Sequence, residues 1–227
     1  MDYSIERQQI IRTGKEIYRQ RLVAGTWGNV SCRLKPDHHI LITPSGMPYD
    51  SLQAQDLVIM DLEGTILAGD RKPSSEFPLH LRVYRERSDA RAIVHVHSPW
   101  ALAYAVAYQP IPVLLEESAQ VLGGTVPVAR YAHAGSEDLA AAACEALGRE
   151  SKAVLLANHG LVGLGKDLEE ALLVCIIAEK TARIGLTARV LGTVNSLSPE
   201  DVQYLHQSFR EYGQPRPVNK VGPEVIP

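Results

Sequence analysis

ARAIVHVHS, residues 90–98, is a β-branched run that carries two histidines two positions apart. A strand has a side-chain period of two, so His95 and His97 project from one face and Val94 and Val96 from the other. One face enters a core while the other is free to build a site. KAVLLANHG (152–160) and LVGLG (161–165) are further strand-like runs, and NVSCRL, HILIT and LVIMD precede them, the last leading through Glu63 and Gly64 into TILAG as a hairpin. TVPVARY (125–131) is one more strand. Between these runs the pattern turns helical. Helices are expected over 4–22, from Ser74 or Ser75 as N-cap to about Arg87 with Pro78 in the first turn, and from Ser98 with Pro99 at the first position. A short helix falls within IPVLLEESAQVLGG, and others follow Ser136, span about 168–184, and run from Ser198 to about Tyr212. The fold class is therefore α/β, a largely antiparallel sheet covered by helices. No repeat or linker divides the chain, so residues 1–213 are expected as a single domain and 214–227, with four prolines, as an extended tail.

Composition narrows the function. With 45% hydrophobic residues over 227 positions the chain can bury a continuous core. Twenty-three Lys and Arg against 26 Asp and Glu leave a net charge of -3, so nothing points to nucleic acid. The three cysteines, Cys32, Cys144 and Cys175, form no CxxC pair and no disulfide framework, which fits a reducing compartment. The first twenty residues are charged throughout and lack an apolar signal segment, and the most apolar runs are far shorter than the roughly 20 residues that span a bilayer. A cytoplasmic protein with no membrane partner is expected.

Histidine is the unusual residue, with eight copies. His95 and His97 can chelate one ion, and His159 ends the strand AVLLANHG, where the following Gly160 permits a tight turn. Three imidazoles with an open position suit a catalytic zinc, although manganese or cobalt accept the same donors. The competing reading of each is a hydrogen-bonded structural histidine. His80 lies four residues after Glu76 on one helix face and could orient that carboxylate or simply pack. His38, His39 and His206 are expected in solvent, and His133 has no assigned role. GTWGN (25–29), TPSG (43–46) and PSSE (73–76) offer hydroxyls and freed backbone N–H groups that could bind an anion, or serve as ordinary turns and caps.

Taken in order, GTWGNVS, ITPSG, PSSE, HVH and ANHG resemble the class II aldolase/adducin family over about residues 5–213. The resemblance implies a three-layer α/β/α sandwich around a mostly antiparallel sheet, assembled as a homotetramer with active sites at subunit interfaces. It matches His95, His97 and His159 to zinc ligands, one divalent metal per subunit, and Glu76 to the acid/base. Thr26, Asn29, Ser45, Gly46, Ser74 and Ser75 match the phosphate pocket, and Tyr212 matches a proton donor that reaches a neighbouring subunit's site. Glu116 stands where the family's aldolase has a second tyrosine. A carboxylate ionises about six units below a phenol, so Glu116 would contact a substrate hydroxyl or, with Glu117, be a solvated pair. The implied activity is reversible cleavage of a phosphorylated sugar, a ketose 1-phosphate, to dihydroxyacetone phosphate and an aldehyde. A sugar-phosphate 4-epimerase, a dehydratase, a decarboxylase and a non-catalytic adducin-like interaction module are the alternatives. The epimerase typically has Asp at the position of Glu76, and the module would have lost its histidines.

Overall fold

The computed structural model describes residues 3–35 and 38–209. Tyr212 and the tail 214–227 lie outside the described residues. The strands are β1 (Asn29–Arg33), β2 (His39–Ile42), β3 (Val58–Asp61), β4 (Ile66–Ala68), β5 (Ala92–Val96), β6 (Val128–Ala129), β7 (Ala153–Leu156) and β8 (Gly160–Gly165). The helices are α1 (Ser4–Arg19), α2 (Phe77–Glu86), α3 (Pro99–Val106), α4 (Glu116–Leu122), α5 (Glu137–Leu147), α6 (Leu168–Leu191) and α7 (Pro199–Phe209). The strands form one sheet in the order β4-β3-β2-β1-β5-β8-β7-β6. Each neighbouring pair is antiparallel except β6 with β7.

Two apolar layers cover the two faces. Val94 and Val96 of β5 enter the layer built with Ile10 and Ile17 of α1 and with Ala171, Val174 and Cys175 of α6. Ile93 enters the opposite layer with Leu81 and Tyr84 of α2 and Ala140 and Ala143 of α5. The alternation expected along β5 is thus realised, and His95, in phase with Ile93, faces the side that carries α2. The three-layer α/β/α arrangement follows from this partition of helices. No helix among the described residues is long and apolar enough to cross a membrane.

Several boundaries differ from the sequence expectation. α1 stops at Arg19, because Arg21 takes a left-handed φ of 58° and the Leu22 N–H returns to the Ile17 carbonyl. Leu22 and Val23 are buried beyond the helix rather than in it. α2 begins at Phe77 with Glu76 as its N-cap residue, not Ser74 or Ser75. Ser74 instead closes the turn before it, its carbonyl accepting from Phe77 N–H and its hydroxyl from Glu76 N–H. Only Val128 and Ala129 of TVPVARY join the sheet, since Val126 bridges to Ile111 instead and Pro127 has no N–H to give. α6 runs seven residues beyond 184, to Leu191, where Gly192 ends it.

Candidate metal and substrate site

β5 is an interior strand, held by β1 on one side and β8 on the other. It delivers His95 and, one residue past its end, His97. The β7–β8 hairpin delivers His159 from its turn. The residue of that turn in left-handed conformation is Asn158, with φ 57°, not Gly160 as its sequence position suggested. Gly160 is needed for another reason: a Cβ there would stand 2.6 Å from the Val96 carbonyl oxygen and 2.7 Å from Cε1 of His95. Only glycine lets the hairpin close on the two β5 histidines. Glu76 completes the group from the start of α2, where a side chain not used for capping is free to point at the sheet.

Potential ligand atoms of Glu76, His95, His97 and His159 all lie within 4.8 Å of one another. His95 donates from Nδ1 to the Leu161 carbonyl at 3.0 Å, which turns its Nε2 inward. That Nε2 lies 3.0 Å from Nε2 of His97 and 3.1 Å from Oε2 of Glu76, while Oε1 of Glu76 lies 3.1 Å from Nε2 of His159. Oε1 is buried and has no aligned hydrogen-bond donor. Burial opposes ionisation of Glu76, but His95 and His159 beside it outweigh that and hold the carboxyl well below the usual range. Burial likewise pulls His95 down, yet Glu76 raises it above its ordinary value. His97, desolvated and facing His95 and His159, is pushed down to about 3. The centre of the cluster therefore demands positive charge. Three convergent imidazole nitrogens beside an ionised carboxylate fit a divalent cation of the zinc, manganese or cobalt kind.

The same cluster opens on a cavity of about 190 Å³. Thr26, Asn29, Ser45, Gly46, Ser74 and Ser75 all line it, next to Glu76 and His159, so three sequence-distant turns converge on one wall. The Asn29 side chain is already engaged: its Nδ2 donates to Oε2 of Glu76 at 2.9 Å and its Oδ1 meets Nε2 of His80 at 2.5 Å. Four lining residues, Trp27, Gly28, Pro44 and Ala134, went unassigned from sequence. Trp27, in the middle of GTWGN, sets its ring 5.6 Å from that of His97, and Ala134 comes from the loop after β6.

Other assignments change. Glu116 opens α4, is exposed, and does not line this cavity within one chain, whereas Glu117 pairs with Lys180. His206 is not solvated: its Nδ1 donates to the Gln120 carbonyl at 2.9 Å, and its ring occupies the space beside Gly123. His80 is completely buried. Burial, assisted by His95 and opposed by Glu76, pushes it down to about 3. In the unfolded chain the same ring protonates near pH 6.5, so between these values the unfolded state binds the extra proton and stability falls as pH falls. Chelator-treated wild type should therefore lose about 2 kcal/mol more than His80→Gln between pH 6.5 and pH 5. Urea unfolding at the two pH values checks this, and equal losses would contradict a neutral buried ring.

Comparison with known proteins agrees with this geometry. The sequence model of the class II aldolase and adducin N-terminal domain matches residues 8–186. The chain is 36% identical over 209 residues to the 5-deoxy-D-ribulose 1-phosphate aldolase of Bacillus thuringiensis, covering 92% of this chain and 97% of that one. It is 36% identical over 207 residues to the L-fuculose phosphate aldolase of Escherichia coli, covering 91% and 94%. A solved structure of an L-fuculose 1-phosphate aldolase superposes with a TM-score of 0.86 at 34% identity over 90% of this chain and 95% of that structure. The chain belongs to the class II aldolase and adducin family, and as an enzyme it falls with the aldolases, among the lyases.

Proposed function

We propose that the protein reversibly cleaves a ketose 1-phosphate, similar to L-fuculose 1-phosphate, into dihydroxyacetone phosphate and an aldehyde. The observation that carries this is that Glu76 and His159, two members of a cluster of one buried carboxylate and three imidazoles, line the same small cavity as a wall of hydroxyls and glycine backbone. His95, His97 and His159 would hold one divalent cation per subunit, zinc first and manganese or cobalt as substitutes. When bound, the cation supplies Lewis acidity toward the negative charge that cleavage places on the ketone oxygen.

The chain's own residues supply the rest. Thr26, Ser45, Gly46, Ser74 and Ser75 offer hydroxyl and N–H donors to the phosphate, which fixes the C3–C4 bond beside Glu76 without a lysine or arginine. In the condensation direction the ionised Glu76 takes a proton from C3 of dihydroxyacetone phosphate, and the electron pair left on C3 forms the bond to the aldehyde carbon while the phenol of Tyr212 from a neighbouring subunit gives its proton to the aldehyde oxygen. Cleavage is the reverse: it starts with Glu76 protonated and Tyr212 as the phenolate, the 4-hydroxyl proton passes to Tyr212 as the aldehyde forms, and the proton of Glu76 passes to C3. Glu116 is a candidate contact to a hydroxyl of the same fragment. A homotetramer in the cytoplasm, with residues 1–213 as its single domain, completes the proposal. Two of the three proteins compared above bear the names of aldolases for 1-phosphates of ketoses, which supports that substrate class.

The test is to incubate zinc-loaded protein with L-fuculose 1-phosphate or 5-deoxyribulose 1-phosphate and assay dihydroxyacetone phosphate. Release is expected with both, falling at least about 100-fold after EDTA treatment and returning with zinc. Release unaffected by exhaustive chelation would refute the metal-dependent reading. Substrate converted to an epimer, a dehydrated product or carbon dioxide would transfer the protein to the epimerase, dehydratase or decarboxylase reading.

A further inference from the structure

From Asn29 at the cavity wall beside Glu76, a file of buried polar groups runs inward between β1 and α2, and the proposed reaction gives it no part. Asn29, Ser31, His80 and Tyr84 are all buried. Their contacts are continuous: Glu76 Oε2 to Asn29 Nδ2 at 2.9 Å, Asn29 Oδ1 to His80 Nε2 at 2.5 Å, His80 Nδ1 to Ser31 Oγ at 2.6 Å, and Ser31 Oγ to Tyr84 OH at 2.8 Å. β1 supplies Asn29 and Ser31 and α2 supplies His80 and Tyr84, so the file crosses the sheet–helix interface one residue pair at a time.

Its direction is forced from one end. An ionised carboxylate can only accept, so the amide nitrogen of Asn29 must face Glu76 and the amide oxygen must face His80. His80 must then carry its proton on Nε2. A neutral ring with Nε2–H has a bare Nδ1, so Ser31 donates to it, and the Ser31 oxygen is left to accept from the Tyr84 phenol. Burial keeps that phenol protonated and His80 neutral, which agrees with the sequence of donors. Every link is used once, and with Glu76 ionised and His80 neutral no alternative orientation satisfies all five residues.

We infer that His80 is a positioning residue which, through Asn29, pins Oε2 of Glu76 and so designates Oε1 as the oxygen that exchanges the substrate proton. This rests on the reading of Glu76 as the proton carrier. The two oxygens are already unequal in the structure: Oε2 has the Asn29 amide, while Oε1 has no aligned donor and belongs to a residue lining the cavity. A carboxylate held by one oxygen cannot swing away from the imidazoles, and its free oxygen keeps an unshared pair for the reaction.

Two measurements decide the matter separately. In the first, long-range ¹H–¹⁵N spectra of histidine-labelled, zinc-loaded protein are recorded, with the His80 signal assigned by its loss in His80→Gln. A ring protonated on Nε2 alone is expected, and protonation on Nδ1 overturns the inference whether or not the protein cleaves a ketose phosphate. In the second, His80→Leu should lower kcat roughly 10–100-fold with KM within about threefold and zinc occupancy unchanged, while His80→Gln, whose carboxamide N–H can reach Asn29, recovers most of the loss. A loss that follows zinc occupancy or folded fraction, or a Gln variant no better than Leu, would show a structural role only. If His80→Leu does not fold, Ser31→Ala serves instead: it removes the donor to Nδ1 and leaves the ring less firmly held, so a several-fold lower kcat with Nε2 still protonated is expected, and an unchanged kcat would overturn the positioning role. Wild type that releases no dihydroxyacetone phosphate would defeat the proposed function, with the tautomer still reporting on the relay.

Discussion

Glu76→Gln is expected to lower cleavage of the ketose 1-phosphate by about 10³-fold while the protein still binds one zinc per chain. General acid–base catalysis by a placed side chain contributes roughly 10²–10⁴-fold, and glutamine keeps the size of the side chain while removing its capacity to exchange a proton. The carboxamide oxygen can still accept from Asn29 Nδ2, so the hydrogen-bonded file behind it persists. The amide nitrogen would then face His159 in place of Oε1. Steady-state release of dihydroxyacetone phosphate and metal analysis on the same sample are the measurements. A kcat within tenfold of wild type would move the proton transfer to another residue.

His97→Ala should remove both metal and turnover. The fold should tolerate the loss of His97 better than that of His95: His97 lies one residue beyond β5 and is only half-buried, whereas His95 is 1% exposed and its ring donates to the Leu161 carbonyl of β8. Truncating His95 would open a void in the sheet and confuse instability with loss of a ligand. Truncating His97 leaves two imidazoles, too few to compete with buffer and chelator for a divalent ion. Zinc content should drop from about one per chain to near zero, with turnover at background and an unchanged far-ultraviolet dichroism spectrum. Full zinc stoichiometry in the variant would reject the assignment of His97 as a ligand.

What could be read from the sequence, and what could not, divides on a physical line. The period-two run of β5 fixed which residues face the core, because strand geometry leaves no freedom in that choice. The turns at 25–29, 43–46 and 73–76 were recognisable as sites of freed N–H groups and hydroxyls, and they line one cavity. Capping was misjudged at α2. Serine is the better N-cap by preference, yet Glu76 occupies that position with its side chain drawn toward three imidazoles from other elements. Tertiary electrostatics overrode a local preference there. The burial of His80 and the engagement of Asn29 were equally hidden, since both depend on β1 lying against α2, a pairing between residues about fifty positions apart. Gly160 was assigned to the right place for the wrong reason: the hairpin turns at Asn158, and glycine is required by the nearness of β5.

The candidate metal donors and the candidate anion donors are mounted differently. His95, His97 and His159 are set by β5 and the β7–β8 hairpin, inside a ladder hydrogen-bonded on both sides. The hydroxyl wall is set by three connections that touch it from outside the ladder. The first can shift only if the sheet itself comes apart, and the second can vary one turn at a time. Such a molecule separates what must be inherited unchanged from what is open to change: the grip on an anionic group can be retuned by substitutions in the connections, without disturbing the cluster of histidines.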